Sequence, residues 1–557
     1  MKKGIFVGFI ILVVVAAIFM IIATNRHSEA PTDENYSKEP SPPNTEISAS
    51  ELMGQIIQNA NEGKVLHSPI IAGHTRFEEV KNIFGLPDKI EETVVGDYVY
   101  YPAFQLSLGL DGQLVFDVRS YDERLSLIHL QDIQKELGEP EQTTYFEDET
   151  VSQIILYYRV NDDYFIKWIL EKPTADVPNP KVHHISVIMA DNPSKYANLV
   201  ARMSLEEKIG QMVFAGFSGQ KPNKYLRQLI IQKKIGGVIF LKENLKSVPQ
   251  MTSLINEIKK LNSNNPYPLF LGIDQEGGSI NRLPDEVAGL PTNDKLGLKN
   301  NPAFAFDYGK LLGKQLNAFG FNIDFAPVLD VNSNPENPVI GRRAISNNPE
   351  IVSNLGIQMM KGIQSENIIP VIKHFPGHGD TSTDSHLALP VVNKTMAELE
   401  QMELLPFKNA ILEGADAVMV AHILLPKLDA HFPASMSKTI ITDVLREKLK
   451  FNGIVITDDM MMKAITDHYS IEEAALFSVK AGSDIILIAH HEEKISSVID
   501  QLISAVERGE ISEQHIDKSV VRILRLKEKY QLDHSSVEFA NIEKLNKEIH
   551  TILDKYN

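Results

Sequence analysis

Residues 371–380 read Val-Ile-Lys-His-Phe-Pro-Gly-His-Gly-Asp, a short apolar run that takes on charge at its end and breaks on Pro376 and Gly377. The same construction recurs along the chain. Apolar runs at residues 212–216, 237–241, 269–274, 323–328, 371–374, 417–421, 454–458 and 485–488 alternate with helical stretches. Runs without polar alternation read as strands buried on both faces, and helical connections between them make those strands parallel. Eight such units predict an α/β fold, a (β/α)8 barrel of the TIM type, with an open doubly wound sheet as the structural alternative. Asp274, Lys373, His374, His422, Asp458 and Asp459 all stand at the carboxyl ends of these runs. Charge at a strand end costs desolvation, so its concentration there points to chemistry on the face where barrel loops converge.

Around this barrel the chain has 557 residues, a net charge of −18 and no cysteine. That length predicts more than one domain, and 43% hydrophobic with 23% charged residues is enough to pack cores. The missing cysteine excludes disulfides, thiolate metal sites, a cysteine nucleophile and lipoprotein acylation. An acidic chain argues against a nucleic-acid partner. At the amino terminus Lys2 and Lys3 precede an uncharged apolar run over residues 4–24. Such a run can cross a hydrocarbon core of ~30 Å. Residues 1–25 are therefore expected to be a transmembrane signal-anchor in the cytoplasmic membrane, with a cleaved signal peptide as the alternative. The expected location is a single-pass membrane protein with its barrel outside a Gram-positive-like cell. Residues 26–50, rich in Pro, Ser and charge, read as a disordered linker.

Residues 51–191 contain an internal echo. Phe77, Val80 and Phe84 run into Gly85-Leu86-Pro87, and Leu130, Ile133 and Leu137 run into Gly138-Glu139-Pro140. Apolar residues at i, i+3 and i+7 followed by Gly and then Pro write an amphipathic helix and its stop signal twice. Thr75 and Glu78 have capping-box spacing at the first start. Alternating strands follow each helix, turning at Asp111-Gly112 in the first copy and at Asn161-Asp162-Asp163 in the second. The expectation is a small α+β domain of two helix-plus-hairpin halves. Tyr98, Tyr100, Tyr101, Tyr157, Tyr158 and Trp168 offer rings for sugar stacking, although strands favour aromatic residues for packing alone.

Four stretches of the barrel region carry a resemblance: KHFPGHGDTSTDSH at residues 373–386, GIDQEGGSINRLP at 272–284, IGRRAI at 340–345 and ITDDMMM at 456–462. Together they resemble glycoside hydrolase family 3, in the branch of bacterial β-N-acetylglucosaminidases acting on peptidoglycan fragments. The resemblance implies Asp458 as nucleophile, His386 as acid/base and Asp384 as the residue orienting His386. It implies that Asp274, Arg282, Arg343, Lys373 and His374 hold substrate, with no metal and no cofactor. The partner it implies is N-acetylglucosamine-containing peptidoglycan or its muropeptides. Asp459 is the rival nucleophile that strand-end placement alone does not exclude. Retaining glycosidases need a carboxylate against the anomeric carbon and a proton donor beside it, and an imidazole supported by a carboxylate can serve as that donor. The Gly-, Ser- and Thr-rich segment around His386 predicts a mobile loop. Ser279 and Ile345 stand where relatives commonly carry an arginine and an aromatic residue.

Other chemistries remain in view. His374, His378, Asp380, Asp384 and His386 are potential metal ligands, yet Pro376 and Gly377 forbid the regular helix of an HExxH site. A β-glucosidase-type enzyme of the same family, or a non-catalytic wall-sugar-binding protein, are the remaining alternatives. The barrel is expected over residues 192–535, followed by a C-terminal helix over 536–557 in which Phe539, Ile542, Leu545, Ile549 and Ile552 recur at helical spacing.

Overall fold

The computed structural model of the chain describes residues 47–147, 151–190 and 193–556. The expected transmembrane segment and most of the 26–50 linker lie outside the described residues. Among the described residues no helix is long and apolar enough to cross a membrane. The chain divides into two compact units between Lys195 and Tyr196.

The first unit has helices α1 (Ala49–Asn61), α2 (Phe77–Phe84) and α3 (Leu130–Leu137). Its strands are β1 (Lys89–Thr93), β2 (Gly96–Tyr101), β3 (Leu106–Asp111), β4 (Leu114–Ser120), β5 (Gln142–Glu147), β6 (Ser152–Arg159), β7 (Tyr164–Glu171) and β8 (Val182–Met189). The sheet runs β1-β2-β3-β4-β8-β7-β6-β5 and is antiparallel throughout. That order is two four-stranded halves meeting at β4 and β8, one half following α2 and the other α3. The predicted hairpins are present as β3–β4 and β6–β7, and each half holds two further strands. Edge strands β1 and β5 escaped the sequence reading because Lys-Ile-Glu-Glu-Thr and Gln-Thr-Thr-Tyr-Phe-Glu have no fully buried residue. The helix start at Thr75 also differs. Thr75 Oγ1 accepts from Ile71 N, and Glu79 caps the helix by accepting from Arg76 N at 2.8 Å. Leu52 and Ile56 of α1, Val80 of α2 and Ile133 of α3 pack on Val99, Leu108, Trp168 and Val187, so all three helices cover one face of the sheet.

The second unit contains eight parallel strands: β9 (Val213–Ala215), β10 (Gly237–Phe240), β11 (Phe270–Ile273), β12 (Ile323–Asp324), β13 (Ile369–Phe375), β14 (Ala417–Val420), β15 (Ile454–Thr457) and β16 (Ile486–Ile488). They follow the ring order β15-β14-β13-β12-β11-β10-β9-β16. Thr457 N donates to Ile485 O at 3.1 Å, Asp484 N and Ile485 N both donate to Val455 O at 2.8 and 3.0 Å, and Met460 N donates to Leu487 O at 3.0 Å, closing the barrel through backbone bonds around the ends of β15 and β16 instead of a full ladder. Phe214, Phe270 and Phe325 fill the interior with no exposed surface, the first two stacked at 5.9 Å. Gly237 and Gly272 make room for them, since a Cβ would stand 2.7 and 3.0 Å from the Phe214 ring. The ladder of β12 stops at Asp324, short of the predicted run to residue 328. The terminal helix spans Ile542–Asp554 and buries Leu545 and Ile549. Phe539 precedes it and is 67% exposed, outside the apolar stripe on which its spacing had placed it.

Candidate active site

Strand ends deliver the polar residues to one end of the barrel. β11 leads into Asp274 and Glu276, and β13 carries Lys373 and His374. β14 is followed by His422, and β15 by Asp458 and Asp459. Lys373 Nζ donates to Asp274 Oδ1 and to Glu276 Oε1, each at 2.7 Å. Arg343 grips the other side of Glu276 through Nε at 2.9 Å and a terminal nitrogen at 2.7 Å. Lys373 and Glu276 are both 1% exposed, and buried charges of this kind persist only when paired. Burial pushes the Glu276 carboxyl up, but the Arg343 and Lys373 charges outweigh it and hold it well below the carboxylate range. Lys373 is likewise held above its usual range, burial lowering it and Asp274 and Glu276 raising it further.

A second network hangs from Asp330, which follows β12 and is fully buried. Its Oδ2 lies 2.6 Å from His374 Nδ1, and its Oδ1 accepts from His378 N at 2.6 Å. His374 Nε2 then lies 3.3 Å from the Arg343 guanidinium, joining the two networks. The loop after β13 carries the remaining residues. His386 Nδ1 is 2.9 Å from Asp384 Oδ1, which also accepts from His386 N at 2.8 Å. The His386 side chain is 65% exposed. Ser385, between these two, is buried and fixed from both sides: its Oγ lies 3.2 Å from His378 Nε2, and its carbonyl accepts from Ala464 N at 3.2 Å. The latter bond ties the loop to the segment that follows β15 and Asp458.

The neighbouring aspartates are separated by their partners. Asp459 Oδ1 accepts from Met461 N and Ala489 N, and its Oδ2 lies 3.0 Å from His490 Nδ1. Asp458 Oδ1 accepts from Asp459 N at 2.8 Å, while its Oδ2 has no hydrogen-bond partner among the described residues. Burial raises the Asp458 carboxyl; the imidazoles of His422 and His374, the Asp459 N–H and Lys373 outweigh it and hold it below its ordinary value. His422 itself is fully buried, and both Asp458 and His386 act on it electrostatically.

Asp274, Arg343, Lys373 and His374 thus join one network. Arg282 does not hydrogen-bond to it through its side chain: its backbone N–H donates to Gln275 Oε1, and its buried Nε has no partner among the described residues. Among the described residues no group of three or more His, Asp or Glu side chains is arranged to hold a metal ion. Glu276 and Asp330 were not assigned from sequence. Asp330 ends the apolar stretch after β12, the same signal that marked Asp274 and Asp458, whereas nothing local distinguishes Glu276 from an exposed glutamate.

Fold and site define a barrel protein with paired carboxylates and imidazoles at the carboxyl ends of its strands. The chain belongs to glycosyl hydrolase family 3, whose N-terminal domain matches residues 204–526. Residues 53–188 match a domain of unknown function, DUF4309. Beta-hexosaminidase A of Pseudoalteromonas piscicida is 36% identical over 340 residues, covering 57% of this chain and 57% of that protein. A beta-hexosaminidase of Neisseria meningitidis serogroup C is 32% identical over 294 residues, covering 52% of this chain and 80% of its own length. The solved glycoside hydrolase family 3 beta-N-acetylglucosaminidase of Paenibacillus sp. str. FPU-7 aligns with a TM-score of 0.61 and 38% identity over 64% of this chain and 69% of its own. This chain therefore spans little more than half of the first of these relatives.

Proposed function

We propose that the barrel is a retaining β-N-acetylglucosaminidase that removes terminal non-reducing N-acetylglucosamine from peptidoglycan-derived glycans. The observation that carries this reading is the open Oδ2 of Asp458 beside a loop whose Asp384–His386 pair is tied, through Ser385 and Ala464, to the segment following that same strand. In the first step an Asp458 oxygen bonds to the anomeric carbon while His386 gives its proton to the departing glycosidic oxygen. In the second, His386 takes a proton from water, the water oxygen replaces Asp458 at the anomeric carbon, and the carboxylate is released. Asp384 keeps the imidazole oriented and supports its positive charge. Asp274, fixed by Lys373, is suited to accept from sugar hydroxyls, and His374 and Arg343 complete the floor. Arg282 would turn its free Nε to a sugar oxygen.

Names of relatives support the sugar, and the apolar run at residues 4–24 behind Lys2 and Lys3 supports export and attachment to the outer side of the cytoplasmic membrane. Release of chromophore from an aryl N-acetyl-β-glucosaminide, measured against the matching glucoside, tests the assignment. Wild type should prefer the former, and Asp458→Ala should lose at least about 10³-fold in kcat/KM. Undiminished turnover by Asp458→Ala would remove the nucleophile.

A further inference from the structure

Strand parity divides the six aromatic residues of the first unit. Tyr101, Tyr158 and Trp168 enter the helix-covered core, whereas Tyr98, Tyr100 and Tyr157 stand on the opposite face, away from α1, α2 and α3. On that face the cross-strand register aligns Lys89, Tyr100, Ser107, Arg119, Ser186, Lys167 and Tyr157 in a single row over seven strands. The row contains three cations and no carboxylate; beside it Glu91 pairs with Lys89 at 3.5 Å and accepts from Tyr100 Oη at 2.8 Å, so the surplus positive charge lies at Arg119 and Lys167 in the centre.

These cations are held in place. Lys89 lies over the Tyr100 ring at 5.3 Å, Lys167 over Tyr157 at 5.2 Å and Arg119 over Tyr98 at 4.2 Å. One level below, fully buried Asp117 accepts from Tyr98 Oη at 2.9 Å, Ser186 Oγ at 2.7 Å and Arg119 Nε at 3.0 Å. Asp117 therefore anchors Arg119, and the Lys167 charge acts on the same carboxylate. Lys167 has no carboxylate partner of its own among the described residues, so two central cations share one buried anion. Gly109 keeps this layer tight, since a Cβ there would stand 2.9 Å from Asp117 Cβ and from the Phe116 ring. Side chains fixed before a ligand arrives lose little entropy when it binds.

We propose that this row binds an anionic glycan, a linear sugar polymer carrying carboxylate groups. Arg119 and Lys167 stand two strand spacings apart, ~10 Å, so carboxylates on successive repeats of a polymer lying across the strands can meet both. The flanking Tyr100 and Tyr157 rings offer apolar faces to pyranose rings. The choice of a sugar polymer rests on the glycosidase reading of the barrel, because the two units are one chain.

Co-sedimentation of the full-length protein tests the site, using chitin and carboxymethylated chitin as probes that share a backbone and differ in charge. Excess N-acetylglucosamine occupies the barrel during the assay. Wild type should be retained on carboxymethyl chitin at low ionic strength, at least about tenfold less on unmodified chitin, and should be released at ~1 M salt. Lys167→Glu should lower retention on the charged polymer at least about tenfold, and Tyr157→Ala should lower it too. Both variants should keep wild-type turnover of the soluble aryl N-acetyl-β-glucosaminide. That arm reports separately on the barrel, because wild type inactive on the aryl substrate yet retained by the charged polymer would fault only the glycosidase reading. Equal retention on the two chitins, or wild-type retention by Lys167→Glu, overturns the proposal. Retention on polyphosphate beads as strong as on carboxymethyl chitin overturns its assignment to a glycan.

Discussion

Asp459 commits both carboxylate oxygens, to two backbone N–H groups and to His490, whereas Asp458 spends only one. Attack on an anomeric carbon requires an ionised, uncommitted oxygen, and in the proposed mechanism it is their partners that give this part to Asp458 and not to Asp459. The lowered Asp458 carboxyl has a consequence for pH. Activity is lost as pH falls through its folded value, which lies below the usual aspartate value of ~3.9, and an acid limb due to Asp458 belongs below that. A pH–rate profile of His386→Ala showing an acid limb above about pH 5 would contradict this. The same variant should keep the acid limb due to Asp458. It should fall about 10²–10⁴-fold on a natural glycan and much less on an aryl glycoside, whose leaving group needs little protonation. At this scale the strand-end carboxylates were legible, because an aspartate closing an apolar run is a local pattern. Glu276 was not, since its role comes from Arg343, 67 residues away.

Within the loop after β13, hydrogen bonding specifies how His378 works. Thr381 Oγ1 donates to His378 O at 3.0 Å, so at 2.8 Å from His378 Nδ1 it accepts the ring proton there. Nε2 is left as an acceptor for the Ser385 hydroxyl at 3.2 Å. His378 thereby fastens the residue between Asp384 and His386, and burial lowers its own basicity, which favours the neutral ring this arrangement uses. Ser385→Ala removes one hydrogen bond, worth about 0.5–1.5 kcal/mol. The expected outcome is a kcat reduced by up to about tenfold, with KM and thermal stability near wild type. A change confined to KM would place the effect in substrate holding instead of loop positioning. The helix-plus-hairpin repeat of the first unit was readable because Gly85 and Gly138 close two helices with the same apolar spacing. Its outer strands were not, since an edge strand has no buried face to enforce alternation.

Across the whole barrel, stability and chemistry sit at opposite ends of the strands. Beneath β9 and β10, at their amino-terminal side, Lys527 is buried and donates to Gln211 Oε1 at 2.7 Å and Gly236 O at 3.0 Å. Burial pushes its ammonium down to about 7. The unfolded lysine keeps its proton up to ~10.4, so between these values the unfolded state binds more protons and stability rises with pH. Between pH 7 and 9 that climb amounts to about 2 kcal/mol. In denaturant titrations Lys527→Met should lose the climb, and a variant with wild-type pH dependence would show that Lys527 does not contribute it. The sequence by itself determined the number and kind of barrel strands, the repeat in the first unit and the strand-end positions of Asp274, Lys373 and Asp458. Each of these is written in the spacing of neighbouring residues. Only the tertiary structure decided that Lys373 joins Asp274 across 99 residues, that Asp458 and not Asp459 keeps a free oxygen, and which tyrosines leave the core for a cationic face. Electrostatic and hydrogen-bond partners are chosen by distance through space, which the order of residues along a chain does not encode.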